Sequence, residues 1–274
     1  MARLCLMEST FNMYFDLAIL GCVLALLHVT LFSFMGHKRL ETMTTVFALI
    51  GFGLSVLQYA ALYQMPTPPY ASMSGILLLL TMALLIGYIG MYFKYGRPSI
   101  GLFVFPLAVI FLMISRFTSG IAVAHEDMVV TAWLYIHLPF TIMGTAFFML
   151  STFTGIMYFI QERQLKNKNF GIIFQRFPPL DTINKLNNTT LYIGFYTFTI
   201  GLLAGLIWMF YSSGRINVFS PKLVFAIITW IIYSSITFYK QFRGMSPKDT
   251  ALSTIIGFIS VLITYIGVAF FVMG

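Results

Sequence analysis

The sequence predicts an all-α protein, a polytopic transmembrane helical bundle with eight spans and both termini on the outer side of the membrane. Of its 274 residues, 59% are hydrophobic and 9% are charged, whereas soluble domains carry about 25% charged residues. The mean hydropathy is +0.90. The apolar runs are long enough for helices that cross a hydrocarbon core about 30 Å thick. They are too long for the alternating strands of about 10 residues that build membrane β-barrels.

Polar, basic or proline-rich segments separate the apolar runs and define the helices of one integral membrane domain, residues 1–274. The first run ends at Gly-His-Lys-Arg, the second at a loop rich in proline, and the third at Lys94 and Arg97. The fifth run ends at Gln-Glu-Arg and is followed by a polar cytoplasmic connector, 161–188. The predicted helices are 14–34, 43–64, 71–92, 98–119, 129–160, 189–211, 222–239 and 251–273.

The connector contains Pro178-Pro179 followed by Leu180-Asp181. We expect Asp181 to N-cap a short helix after the prolines. Leu180, Ile183 and Leu186 would give this helix an apolar face that lies on the membrane. A solvated basic connector explains the same residues equally well.

The orientation follows from the basic residues, because cytoplasmic loops of membrane proteins carry an excess of Lys and Arg. Twelve of the 16 fall in alternate loops, which we assign to the cytoplasm. The net charge of +8 is therefore a topology signal, and no nucleic-acid partner is predicted. The cytoplasmic set is Lys38, Arg39, Lys94, Arg97, Arg163, Lys166, Lys168, Arg176, Lys185, Lys240, Arg243 and Lys248, and the outer set is Arg3, Arg116, Arg215 and Lys222.

The stretch 131–163 is the one around which we expect the chain to be organised. It is apolar enough to span a membrane, yet it contains His137. Counting back about 20 residues from its polar end leaves His137 at the outer membrane–water interface. Trp133 and Tyr135 lie within a turn of it and are residues typical of that depth.

Close helix packing is predicted at two places. Gly144, Ser151 and Gly155 follow His137 on roughly the same helical face, so a neighbouring helix can approach there. In the sixth helix, Gly201 and Gly205 form a small-xxx-small face, which predicts packing within the chain.

The run Tyr135-Ile136-His137-Leu138-Pro139, followed by the long apolar helix and Gln161-Glu162-Arg163, resembles the cytochrome c assembly membrane family. This family includes haem-handling proteins of the CcmC, CcsA and HemX types. The likeness continues over 178–183, 201–208, 220–222, 226–230 and 257–268, and it is nearest to the HemX-like branch. An outward-facing histidine in the family's Tyr-Ile-His-Val-Pro-like element ligates haem iron. The resemblance therefore implies haem as the cofactor and His137 as the ligand of its iron.

The sequence departs from that family at the haem platform. Members that deliver haem carry Trp-x-Trp-Asp-Pro-Lys-Glu in an outer loop, whereas 217–223 read Asn-Val-Phe-Ser-Pro-Lys-Leu. The second outer histidine, which normally follows the last helix, is not found before Gly274, and Ser74 stands where a glutamate is usual. These departures predict haem delivery or regulation rather than a self-sufficient haem–thioether synthase.

Three histidines are candidate haem ligands, and each has a simpler alternative. His137 as an iron ligand competes with a histidine that forms hydrogen bonds between helices. His125, in the short outer loop that precedes this helix, is either a second ligand or a solvated loop residue. His28, in the inner half of the first helix, binds a haem at membrane depth or is a buried, satisfied side chain.

The other candidates are three aromatic residues expected to flank the haem and three outer cations expected to pair with its propionates. Ordinary contact with lipid phosphates is the alternative for the cations. The six residues are Trp133, Tyr135, Phe219, Arg116, Arg215 and Lys222.

The residues support two functions of different classes. One is a haem-binding, haem-handling protein of a bacterial cytoplasmic membrane, which presents haem at the outer face through His137. It would work with lipid and with a membrane or outer-side (periplasmic) protein partner that supplies the missing parts of the platform. The other is a non-haem scaffold or regulatory subunit that kept the fold and lost the cofactor. The two differ in whether His137 faces a cavity or a packed helix.

Overall fold

The computed structural model describes residues 2–65, 68–118, 132–168 and 170–273, and this part of the chain is all-helical. Every predicted helix has a counterpart, and one short helix, α6, is added within the predicted connector. The α-helices are α1 (Ala2–Met35), α2 (Lys38–Ala61), α3 (Met73–Tyr95), α4 (Gly101–Phe117), α5 (Ala132–Lys166), α6 (Ile172–Arg176), α7 (Leu180–Ser213), α8 (Pro221–Arg243) and α9 (Pro247–Met273).

Six helices in the described part of the chain are long and apolar enough to cross a membrane, namely α1, α2, α3, α5, α7 and α8. The helix α4 is apolar but has only 17 residues. An integral membrane protein built of helices is therefore confirmed. Eight spans, and the outer location of both termini, stay predictions.

The predicted boundaries are wrong at the first helix, which begins at Ala2 instead of 14, and at the connector. The helix α5 continues past the predicted end at 160 to Lys166, and α7 runs without a break from Leu180 to Ser213. No separate helix follows the prolines there, because Pro179 is itself the N-cap and Asp181 lies in the first turn of α7. Ile183 and Leu186 are 0% and 2% exposed, so these residues of the predicted apolar face are buried within the protein instead of lying on the membrane.

The described helices form two compact units. The N-terminal unit contains α1 to α4 and α6, and the C-terminal unit contains α5, α7, α8 and α9. The helix α6 joins the first unit through Arg176. Its carbonyl oxygen accepts a hydrogen bond of 2.7 Å from Ser99 Oγ, and its guanidinium lies 5.9 Å from the centre of the Phe32 ring.

In the N-terminal unit, α1 and α2 pack through small residues. A Cβ atom on Gly51 would lie 3.0 Å from Cys22 Sγ, so the absence of a side chain permits this approach. The buried residues of α1 recur every three or four positions, as expected for one side of a helix. Its buried members are Phe15, Ala18, Cys22, Ala25, Val29 and Phe32.

The helices α3 and α4 of the same unit are joined by two buried serines. Ser115 Oγ donates to the Ser74 carbonyl oxygen at 3.0 Å and lies 2.9 Å from Ser74 Oγ. Ser74 is therefore a residue of helix packing in this chain.

The C-terminal unit is organised around α5. In the most apolar 18-residue stretch of α5, 78% of the residues are buried, whereas the corresponding stretches of α7 and α8 are each 28% buried. Gly144 of α5 faces Phe198 of α7, and Gly194 of α7 faces Phe148 of α5. Gly155 of α5 faces Ala251 of α9. The predicted close packing along this side of α5 is confirmed.

Asn187 of α7 ties three helices together in the same unit. Its amide nitrogen Nδ2 lies within hydrogen-bond distance of Ser151 O at 2.7 Å, Thr154 Oγ1 at 3.2 Å and Thr254 Oγ1 at 3.2 Å. Ser151 Oγ donates back to the Asn187 carbonyl oxygen at 3.4 Å. Because lipid offers no hydrogen bonds, such internal contacts are the ones available to buried polar groups.

Aromatic residues form the core between α5, α7, α8 and α9. The rings of Phe148 and Tyr233 are stacked, with centroids 3.5 Å apart and planes 12° apart. Phe198 and Val261 belong to this core and also to the wall of the cavity described below. The other buried members of the core are Leu191 and Phe195.

We expect Gly144→Ala to destabilise the protein by about 1–3 kcal/mol, the usual cost of overpacking a core. The added Cβ would lie 2.6 Å from Phe198 Cβ and 2.7 Å from its backbone nitrogen, so α5 and α7 would have to separate. Thermal unfolding in detergent, followed by circular dichroism, measures the effect.

Gly90→Ala is the matched control, because no heavy atom lies within 4 Å of a Cβ built on this helical glycine. It should leave the unfolding temperature unchanged or raise it, since alanine favours a helix over glycine by about 1 kcal/mol. Equal destabilisation by both changes would contradict a specific contact at Gly144.

Candidate functional site

The C-terminal unit contains a partly open cavity of about 260 Å³ where α5 begins, α7 ends and α8 begins. Two ionisable side chains, His137 and Lys222, lie in its lining, and three threonine hydroxyls add polarity. The remaining wall is mostly apolar and is formed by Phe198, Leu202, Leu206, Met209, Leu223, Ala226 and Val261, with Gly205 and Trp208. His137 therefore faces a cavity.

The His137 imidazole has a defined tautomer. Its Nδ1 lies 2.8 Å from the carbonyl oxygen of Gly201 in α7. A carbonyl oxygen can only accept a hydrogen bond, so Nδ1 must carry the proton. Thr141 Oγ1 lies 3.3 Å from the same nitrogen, a longer and weaker contact. The lone pair of the neutral ring is therefore on Nε2.

Two glycines of α7 allow this contact. A Cβ atom on Gly205 would lie 2.5 Å from His137 Nδ1, and one on Gly201 would lie 2.5 Å from the backbone nitrogen of Thr141. The predicted small-residue face of the sixth helix therefore packs within the chain, as expected. Trp208, one turn from Gly205, stacks on the imidazole with ring centres 6.2 Å apart and planes 13° apart.

Lys222 is in the first turn of α8, directly after Pro221 at the first helical position. Its side chain is exposed and also lines the cavity, so it marks the mouth. An ammonium group at this position can pair with an anionic group of a ligand that enters the cavity.

The aromatic residues predicted to flank the site do not line this cavity. Phe219 is 90% exposed, Tyr135 is 49% exposed and Trp133 is half-buried. Arg215 is exposed in the same loop as Phe219. Among the described residues, Trp208 is the aromatic side chain that lies against the imidazole.

Two other predicted residues belong to the N-terminal unit. His28 Nδ1 lies 2.7 Å from the Leu24 carbonyl oxygen, one turn earlier in its own helix, and its ring is 5.0 Å from that of Phe47. Arg116 Nε lies 3.7 Å from Asp16 Oδ1. His125 lies outside the described residues.

Sequence reasoning did not select Trp208, Met209 or the threonines of the wall. The signal for Trp208 was the helical spacing of Gly201, Gly205 and Trp208, which places all three on one side of α7. Met209 had no signal in the sequence, because one methionine in an apolar helix is usually a core residue.

The residues of the cavity suit one end of a haem. Haem iron takes its axial ligands from the protein. His137 can offer Nε2, because the Gly201 carbonyl at Nδ1 fixes the orientation of the ring, as in metal-binding histidines generally. The described residues contain no cluster of three or more His, Cys, Asp or Glu that could hold a bare metal ion. Ligand pockets usually measure about 300–1,000 Å³, so a cavity of 260 Å³ would bury part of a tetrapyrrole.

Comparison with known proteins gives matches along the chain. The model of a family described as "Cytochrome C assembly protein" matches residues 10–274. Similar curated proteins include the cytochrome c biogenesis protein CcsA of Guillardia theta, 24% identical over 221 residues that cover 74% of this chain and 73% of the relative. The protein of the same name from Trieres chinensis is 26% identical over 233 residues, covering 74% and 75%.

The solved structures include a similar fold in the cytochrome c heme lyase CcmF. It superimposes with a TM-score of 0.65 and covers 96% of this chain, with 15% sequence identity. At this identity the likeness shows the fold alone. This chain spans about half the length of that protein, 49%.

We expect the neutral His137 ring to be protonated at Nδ1 and not at Nε2. Nitrogen NMR of protein labelled with ¹⁵N-histidine distinguishes the two tautomers, and a His137→Gln sample assigns the signal. Gly205→Ala should displace the ring and change that tautomer signal, because its Cβ would contact Nδ1. A signal for the Nε2-protonated tautomer in the wild type would contradict the hydrogen bond to Gly201.

Proposed function

Because the chain belongs to the cytochrome c assembly protein family, we propose that it is a haem-handling membrane protein of cytochrome c biogenesis. It binds haem at the outer face of the membrane through His137. The observation that carries this proposal is the cavity in which the imidazole directs its proton to the Gly201 carbonyl and keeps Nε2 free for a metal.

The residues of the cavity have separable roles. His137 would hold the haem iron through Nε2, and the Gly201 carbonyl fixes the orientation of the ring. Lys222 at the mouth pairs with carboxylates of the ligand. The apolar wall, for example Leu202 and Leu206, excludes water from the buried edge of the ligand. When bound, haem supplies an iron centre whose properties depend on its axial ligands and on the polarity around it.

The basic residues support the outer location, because the cytoplasm-assigned loops are rich in Lys and Arg, while Lys222 is one of few cations assigned to the other side.

A partner protein on the outer side would cover the part of the haem that this cavity does not bury. The exposed side chains of Val218 and Phe219, 55% and 90% exposed, offer it an apolar contact beside the mouth. The bacterial cytoplasmic membrane and the HemX-like branch are part of this proposal.

A second function is favoured by the size of the cavity. A volume of about 260 Å³ lies below the usual range for pockets that enclose a ligand, and Phe219 is exposed and does not line the cavity. A scaffold or regulatory subunit that lost the cofactor would show these features. In that case His137 serves only to join α5 to α7.

The deciding experiment is an absorption spectrum of the full chain, purified in mild detergent from haem-replete cells, in oxidised and reduced form. We expect a Soret band in the wild type and a loss of most of it in His137→Ala, because the axial nitrogen is removed. His37→Ala is the control, since this exposed residue at the N-terminus of α2 makes no capping hydrogen bond.

A colourless wild-type protein that added haem cannot reconstitute would overturn haem binding and leave the scaffold function. An equal Soret band in the wild type and His137→Ala would place the haem elsewhere, and His28→Ala would then be measured next.

A further inference from the structure

The cavity contains a second side chain that can bind iron. Besides His137, its lining includes Met209, whose thioether sulfur is a soft metal ligand. The Lys222 ammonium has donors and no acceptor lone pair while it is protonated. The hydroxyls of the wall belong to Thr141, Thr145 and Thr229, and neutral hydroxyls are not among the usual axial ligands of haem.

Met209 reaches the cavity from α7, the helix against which the imidazole lies. It is four residues after Gly205, and residues four apart lie on the same side of a helix. Gly205 is the position whose added Cβ would touch His137 Nδ1. Met209 is therefore one turn from the imidazole contact, toward the end of α7 and the mouth of the cavity.

Its setting also suits a ligand. Met209 is half-buried and is the only methionine in the sequence of α7. Methionine has three rotatable bonds, so its sulfur can adjust to a bound group without movement of the helix. His137 comes from α5, so the two candidate ligands approach a common space from two different helices.

We propose that Met209 is the second axial ligand of the haem iron, together with His137 Nε2. This inference rests on the haem function proposed above and adds the second protein ligand of the iron. A histidine–methionine pair raises the reduction potential of haem relative to two nitrogen ligands, so the site would favour ferrous iron.

The test uses the full chain in detergent, reconstituted with haem. The ferric wild type should show the weak far-red charge-transfer band of an iron–thioether bond. Met209→Leu should lose this band while retaining the His137-dependent Soret absorption, and its midpoint potential should shift downward. Met209→His should also lose the band and lower the potential, but it should keep a six-coordinate low-spin spectrum.

Met157→Leu is the matched control. Met157 is fully buried in α5 and does not line the cavity, so the band and the potential should not change. Leucine and methionine have similar volumes, and circular dichroism of each variant checks that the fold is kept.

Two failures are distinguishable. A wild type that binds haem through His137, but has no far-red band and the same potential as Met209→Leu, overturns the role of Met209 and leaves the proposed function standing. A wild type that binds no haem at all overturns both.

Discussion

The close approach of α5 and α7 is the constraint on which the C-terminal unit depends. It requires glycine at Gly144 and Gly194 in the core, and at Gly201 and Gly205 beside the cavity, because a Cβ at each would lie 2.5–2.8 Å from the opposite helix. The same lack of side chains exposes the Gly201 carbonyl to His137. Packing and site chemistry therefore have one cause, and a larger residue at these positions would alter both.

Polar contacts fix this helix pair at two levels. Near one end, Asn187 bonds to α5 and α9, and near the other, His137 bonds to α7. Between them lies an aromatic core that includes the stacked pair Phe148 and Tyr233. Polar contacts between helices contribute about 0.6 kcal/mol each on average in a membrane protein. Their role here is therefore to set the register, while the apolar contacts and glycines supply most of the close packing.

The sequence was enough for the helices and for two residues of the site, His137 and Lys222. Long apolar runs require helices in a membrane, which is why each predicted helix has a counterpart. Composition could not decide whether the polar connector was solvated or packed, so the burial of Ile183 and Leu186 was missed. His137 was found from its motif. Trp208 and Met209 could not be, because their contact with the cavity depends on the register of α7 against α5.

The oriented imidazole also bears on how the two proposed functions compare. The ring is held by a backbone carbonyl and two glycines of α7, none of which belongs to the loop 214–220. A carbonyl keeps its acceptor whatever the side chains of that loop are. Changes in the side chains of that loop therefore leave the tautomer of His137, with its lone pair on Nε2, unchanged. A neutral imidazole that donates through Nδ1 keeps a lone pair on Nε2 in either function. What favours a retained ligand site over a relic of the fold is that His137 lines a cavity instead of a packed helix contact alone.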